Sequence, residues 1–117
     1  MSDIASLFVW RRRRVVIAAI TGEIDISNAR ELEAEIVAEL DAGAAGLVID
    51  LGGLGFLDGS GVHLLYRLAD RLNERGLGFA LVLPEDSPPY RVLALSGTRP
   101  RAWTHAREDD ALSAVLR

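Results

Sequence analysis

Asp58-Gly59-Ser60-Gly61 sets a carboxylate, a hydroxyl and two glycines in four consecutive positions, with His63 three residues beyond the serine. Three kinds of chemistry could use such a cluster. Acyl transfer from a nucleophile elbow needs Gly-x-Ser-x-Gly, because both glycines must clear a strained strand-to-helix turn. Here Asp58 stands two residues before Ser60 and Val62 two after it, so the pattern fails. Ser60 and His63 on one helical turn are also poorly placed for the proton transfer of a triad, and the other histidine, His105, lies near the C-terminus. No catalytic residue and no enzymatic activity are expected. A metal site is not expected either: the chain has no cysteine, and its two histidines fall in no ligand-like spacing. The glycine-rich run "GGLGFLDGSG" lacks the spacing and the lysine of a phosphate-binding loop, so no nucleotide or other cofactor is expected.

Two readings of the tetrapeptide survive. Ser60 can be the N-cap of a following helix, with Gly59 and Gly61 relaxing the turn. A serine at a helix N-terminus is equally suited to carry a phosphate, since free N–H groups and the positive dipole end stabilise the added dianion. Local physics permits both.

The elements that must position this corner follow from hydrophobic patterning. Residues 5–10 and 15–20 are apolar or β-branched runs flanking Arg11–Arg14, and they read as a hairpin with the arginines as a solvated turn. After the loop "TGEID", Asn28 with Glu31 fits a capping box, and Ala29, Leu32, Ile36 and Leu40 recur at helical spacing up to a stop near Gly43. "GLVIDL" (46–51) reads as a strand covered on both faces, and the glycines at 52, 53 and 55 as loop punctuation. A second helix from about Ser60 to Arg75 buries Val62, Leu65, Leu68, Ala69 and Leu72 and exposes His63, Arg67, Asp70 and Glu74. "LGFALVL" (77–83) is a further buried strand. A short helix capped by Ser87 runs from Pro88 to Leu95, "RAWTH" (101–105) reads as an edge strand, and a last helix covers Asp109 to Leu116.

Alternating strands and helices imply an α/β fold with a mixed sheet of four to five strands and about four helices. Ligand and partner sites in such sheets gather beyond the carboxyl ends of the strands. The loops "TGEID" and "GGLGFLDGSG" are the two candidates by composition. At 117 residues the expectation is a single domain. The net charge of −4, carried against thirteen arginines and no lysine, argues against nucleic acid as a partner. No apolar run approaches the roughly 20 residues that cross a bilayer, and the N-terminus has its charges after its apolar run, so no membrane contact and a cytoplasmic location are expected.

"TGEID" before a helix, "VIDLGGLGFLDGSGVHLL", "GLGFALVLP" and "YRVLALSG", in this order over about residues 7–116, resemble the STAS domain of bacterial anti-sigma factor antagonists. The resemblance implies a regulatory binding module. Such a protein binds an anti-sigma factor, often also a serine kinase, and thereby frees a sigma factor; the kinase inactivates it by phosphorylating a serine at the start of the second helix, and a phosphatase reverses the step. The family pattern there is Asp-Ser-Ser/Thr-Gly with the acceptor directly after the aspartate. Asp58, Ser60 and Gly61 match it, but the acceptor position is Gly59, which cannot carry phosphate. Asp25 matches the family's acidic residue beside that loop. Three expectations follow: Ser60 accepts the phosphate in place of its neighbour; the chain is an unswitched antagonist; or it is an accessory subunit of a transporter or a signalling scaffold. The docking surface implied is Asp25, Asp58, Gly59, Ser60, Gly61, His63 and Arg67, with the anti-sigma factor kinase as partner. Oligomeric state is left open by the sequence.

Overall fold

A computed structural model describes residues 4–40 and 43–117. The elements are β1 (Ala5–Arg12), β2 (Val15–Ile24), α1 (Ala29–Leu40), β3 (Gly46–Asp50), β4 (Leu54–Leu57), α2 (Gly59–Glu74), β5 (Gly78–Val82), α3 (Pro88–Leu95), α4 (Arg99–Trp103), β6 (Thr104–His105) and α5 (Glu108–Leu116). The sheet runs β1-β2-β3-β5-β6, with β4 paired to the far end of β2. Only the β1–β2 hairpin is antiparallel; every other pairing is parallel.

The apolar patterning dictates two cores. On one face, Leu32, Ile36 and Leu40 of α1 and Leu64, Leu65, Leu68 and Leu72 of α2 pack on Val16, Ala18, Ile20, Leu47, Ile49 and Leu81 of the sheet. On the other face α5 lays Ala111, Leu112 and Val115 over Val15, Ile17, Val48, Ala80 and Val82. Successive strand residues thus feed opposite cores, which is why the central strands read as continuous apolar runs. No helix among the described residues is long and apolar enough to cross a membrane.

Several details differ from expectation. Strand β2 does not stop at Ile20: it continues through "TGEI" because a second parallel partner, β4, extends the ladder beside it. Gly22 makes this possible. Its φ is +93° at a register shift, and a side chain there would run into the carbonyl oxygen of Ile4. The stretch taken as punctuation therefore holds a strand. "RAWTH" is mostly the α4 turn, with only Thr104–His105 paired as β6. Pro100 sits in that turn, and Thr104 Oγ1 donates to its carbonyl at 2.6 Å. Trp103 turns inward edge-on to Tyr66 and Phe79, with ring centroids 5.1 and 5.3 Å away.

The arginine block is more than a solvated turn. Arg13 and Arg14 take the positive φ values, 53° and 69°, of a tight hairpin turn. Arg12 reaches across to Glu108 and Asp109 at the start of α5, at 2.8 and 3.0 Å, and these hydrogen bonds, Glu108 first, raise its pKa further. Arg11 and Arg14 donate to the carbonyls of Glu39 and Gly43.

Candidate functional site

Because β2 and β4 are parallel neighbours, their carboxyl ends lie side by side, and each is followed directly by an aspartate: Asp25 after Ile24, Asp58 after Leu57. The Asp58 N–H donates to the carbonyl of Ile24 at 3.3 Å, which joins the two turns. The acidic corner predicted from two separate sequence motifs is thus one structural unit.

Asp58, not Ser60, caps α2. Its backbone is extended (φ −106°, ψ −172°), and its Oδ1 accepts from the N–H of Ser60 at 2.8 Å and of Gly61 at 3.2 Å. A carboxylate one position ahead of the helix reaches two free amides at once and meets the positive dipole end, an advantage the serine hydroxyl lacks. Gly59 becomes the first helical residue. It is exposed, and a Cβ built on it would meet nothing within 4 Å. Ser60 follows, half-buried, and its hydroxyl carries no hydrogen bond among the described residues. Gly61 points the other way. It is buried, and a Cβ there would strike Leu57 and approach Ile24 Cγ2 at 3.1 Å, so its role is to let α2 settle on the strand ends rather than to offer a surface. His63 and Arg67 are exposed on successive turns of α2.

The Asp25 turn is locked from beneath. Asp25 Oδ1 accepts from the N–H of Ser27 at 2.8 Å and from its hydroxyl. Asn28, only 1% exposed, accepts from the Asp25 N–H at 3.0 Å and donates to the Glu23 carbonyl at 2.9 Å. The Asn28 side chain therefore braces the preceding loop instead of capping α1; its carbonyl accepts the first helical bond from Leu32.

Two residues at the site escaped sequence reasoning. Ile26, 84% exposed at the tip of the Asp25 turn, and Arg30 in the first turn of α1 join Ala29, Ser60, His63 and Arg67 around a groove of about 200 Å³. A large aliphatic residue amid "EIDISNA" turn residues was the available signal for Ile26; nothing in the sequence marks Arg30. The groove runs on between α1 and α2 into a second of about 400 Å³ lined by Arg30, Glu33, Ala34, Val37, Arg67 and Arg71. Arg67 holds Glu33 Oε1 at 2.8 Å along it. The corner thus offers two carboxylates, an exposed aliphatic tip, a free hydroxyl and a basic groove, all on one side of the molecule's strand ends.

Comparison with known proteins bears on what such a corner serves. The STAS domain family matches residues 9–111. A Bordetella bronchiseptica protein carrying the name anti-sigma factor antagonist BtrV is 36% identical over 84 residues, 71% of each chain. The crystal structure of an anti-sigma factor antagonist from Mycobacterium paratuberculosis superposes with a TM-score of 0.85 at 29% identity, over 100% of this chain and 98% of that one. The Bacillus cell fate determinant SpoIIAA in its phosphorylated form shares the fold, with a TM-score of 0.70 at 24% identity over 96% of this chain and 100% of that one.

Proposed function

The chain belongs to the STAS domain family, and from that premise we propose that it is an anti-sigma factor antagonist whose partner is an anti-sigma factor with serine kinase activity. Docking takes place on the corner built by Asp25, Asp58, Gly59, Ser60, His63 and Arg67, and it frees a sigma factor. The reading is one of binding rather than catalysis. The observation that carries it is the hydrogen bond between Asp58 and Ile24, which fuses the two acidic turns into one accessible surface at the start of α2.

Ser60 is the phosphate acceptor in this reading. Its hydroxyl is unengaged at the second position of α2, near the positive end of the helix dipole. SpoIIAA, a protein of the same fold, exists in a phosphorylated form. A phosphoserine brings about −1.5 to −2 charge to the docking surface, and a change of charge pairing at such a surface costs several kcal/mol of affinity, of order 2–5.

Gly59 favours a second reading, because it occupies the position where the family carries its acceptor: an antagonist that binds without being switched. One experiment tests both. The chain is incubated with a purified anti-sigma factor kinase and ATP, then examined by size-exclusion chromatography, intact mass and peptide mapping. Phosphate on Ser60 with loss of the complex supports the switched antagonist. A stable complex with unchanged mass supports the unswitched one. Neither complex nor mass change, with a kinase that acts on its own antagonist, overturns the proposal.

A further inference from the structure

Resting on the reading that Ser60 is the modified residue, we propose that its phosphate is clamped by the chain's own Arg30, Arg67 and His63, so that the switch withdraws these basic groups from the docking surface. In the modification itself the Ser60 oxygen bonds to the γ-phosphorus of a nucleoside triphosphate held by the kinase. The bond from that phosphorus to the bridging oxygen breaks, the nucleoside diphosphate leaves, and the hydroxyl proton passes to a base of the kinase.

The geometry for the clamp is already in place. Ser60, His63 and Arg67 recur at i, i+3 and i+7 on α2 and so share one face. Arg30 enters from α1, and the four meet around a groove of about 200 Å³ that Ile26 and Ala29 also line. Such a space holds several waters at about 30 Å³ each, enough for a phosphoryl group. None of its six lining residues is acidic. The carboxylates around it are engaged: Asp58 with the amides of Ser60 and Gly61, Asp25 with Ser27, and Glu33 with Arg67, while Glu31, next to Arg30 in the chain, has a partner of its own.

The donors are available. Among the described residues the side chains of Arg30 and His63 have no hydrogen-bond or ion partner. Arg67 is tied only to Glu33, in a pair half open to solvent. Exposed pairs of this kind are weak, whereas a phosphate dianion accepts from arginine in short, charge-assisted and often bidentate bonds. Five guanidinium N–H donors also allow Arg67 to keep one bond to Glu33 while turning the rest to the phosphate. The acidic surroundings implied by the sequence alone suggest a phosphate that repels its neighbours. The groove offers one that is drawn inward, taking with it two residues, His63 and Arg67, of the docking surface.

The test installs phosphoserine at position 60 by genetically encoded incorporation, with no kinase involved, and titrates the phosphate by 31P NMR. In the wild-type chain its second ionisation, ordinarily near pH 6, is expected to fall by about one unit, as it does for an anion beside guanidinium groups. In R30Q/R67Q, whose fold is checked by circular dichroism, it returns to the ordinary value. The thermal midpoint of the phosphorylated wild type should exceed that of the phosphorylated double variant by more than the same comparison gives for the unmodified chains. An ionisation at or above pH 6 in the wild type, or one unchanged by R30Q/R67Q, overturns the clamp. Since the modification is built in, that result stands whichever residue a kinase selects, and a kinase that ignores Ser60 overturns the acceptor assignment without touching the clamp.

Discussion

Replacing Asp58 separates what the corner does for the fold from what it does for a partner. In Asp58→Ala the N–H groups of Ser60 and Gly61 lose the oxygen they share at 2.8 and 3.2 Å. Loss of an N-cap costs typically about 1 kcal/mol within a span of 0.5–2, and removing a carboxylate from the positive end of a helix adds about 0.3–1. The two together give about 1.5 kcal/mol. For 117 residues the unfolding entropy is about 0.25 kcal/mol/K, so the thermal midpoint should fall by about 6 °C. Asp58→Asn keeps a good cap and loses only the charge, so its midpoint should fall by about 2 °C. Thermal denaturation followed by circular dichroism at 222 nm reads both, and calorimetric titration with the anti-sigma factor reads binding. The expected pattern is a stable Asp58→Asn chain whose affinity is nevertheless reduced, because the carboxylate contributes to the acidic corner. Equal stability of Asp58→Ala and wild type, or an Asn variant as unstable as the Ala variant, would refute the capping geometry.

Three further outcomes follow from the same geometry. Gly61→Ala pushes a methyl group into Leu57 and Ile24 beneath α2, an overpacking expected to cost about 1–3 kcal/mol, measurable by urea denaturation. Gly59→Ser places its side chain in open space; the variant should fold with stability equal to or slightly above wild type, and peptide mapping after kinase treatment should find phosphate on residue 59. Asn28→Ala removes the partner of the Asp25 N–H and of the Glu23 carbonyl, both part-buried, at about 1 kcal/mol for each hydrogen bond lost, and hydrogen exchange should speed up at residues 24–28 while α2 stays protected.

Much of this architecture is written in local patterns. The hairpin, the α1 and α2 stripes and the central strands follow from apolar periodicity, and Ser87 with Pro88 marks the start of α3 as clearly as any cap can. What the patterns do not carry is pairing between distant segments. "LGFL" becomes a strand only because the end of β2 lies beside it, and that extension depends in turn on the positive φ of Gly22. The sequence reading puts the cap of α2 on Ser60, a good capping type, but the extended backbone of Asp58 gives that place to the aspartate. Asn28 was misassigned for a related reason: its spacing to Glu31 suits a capping box, but burial beneath the Asp25 turn gives its amide two stronger claims. Of the candidate site, the family resemblance and helical periodicity mark Asp25, Asp58, Ser60, His63 and Arg67, which the fold brings to one corner. Arg30 is not marked, since the groove it completes exists only once α1 and α2 lie side by side.

Release of a sigma factor tests the central claim most directly. A fluorescently labelled sigma factor is bound to its anti-sigma factor, and its anisotropy is followed as the chain is added. The wild-type chain should lower the anisotropy to that of free sigma factor, and a chain carrying His63→Glu and Arg67→Glu on the exposed face of α2 should leave it unchanged at the same concentration. A wild-type chain that never displaces the sigma factor, or a double variant that displaces it equally well, would contradict the account.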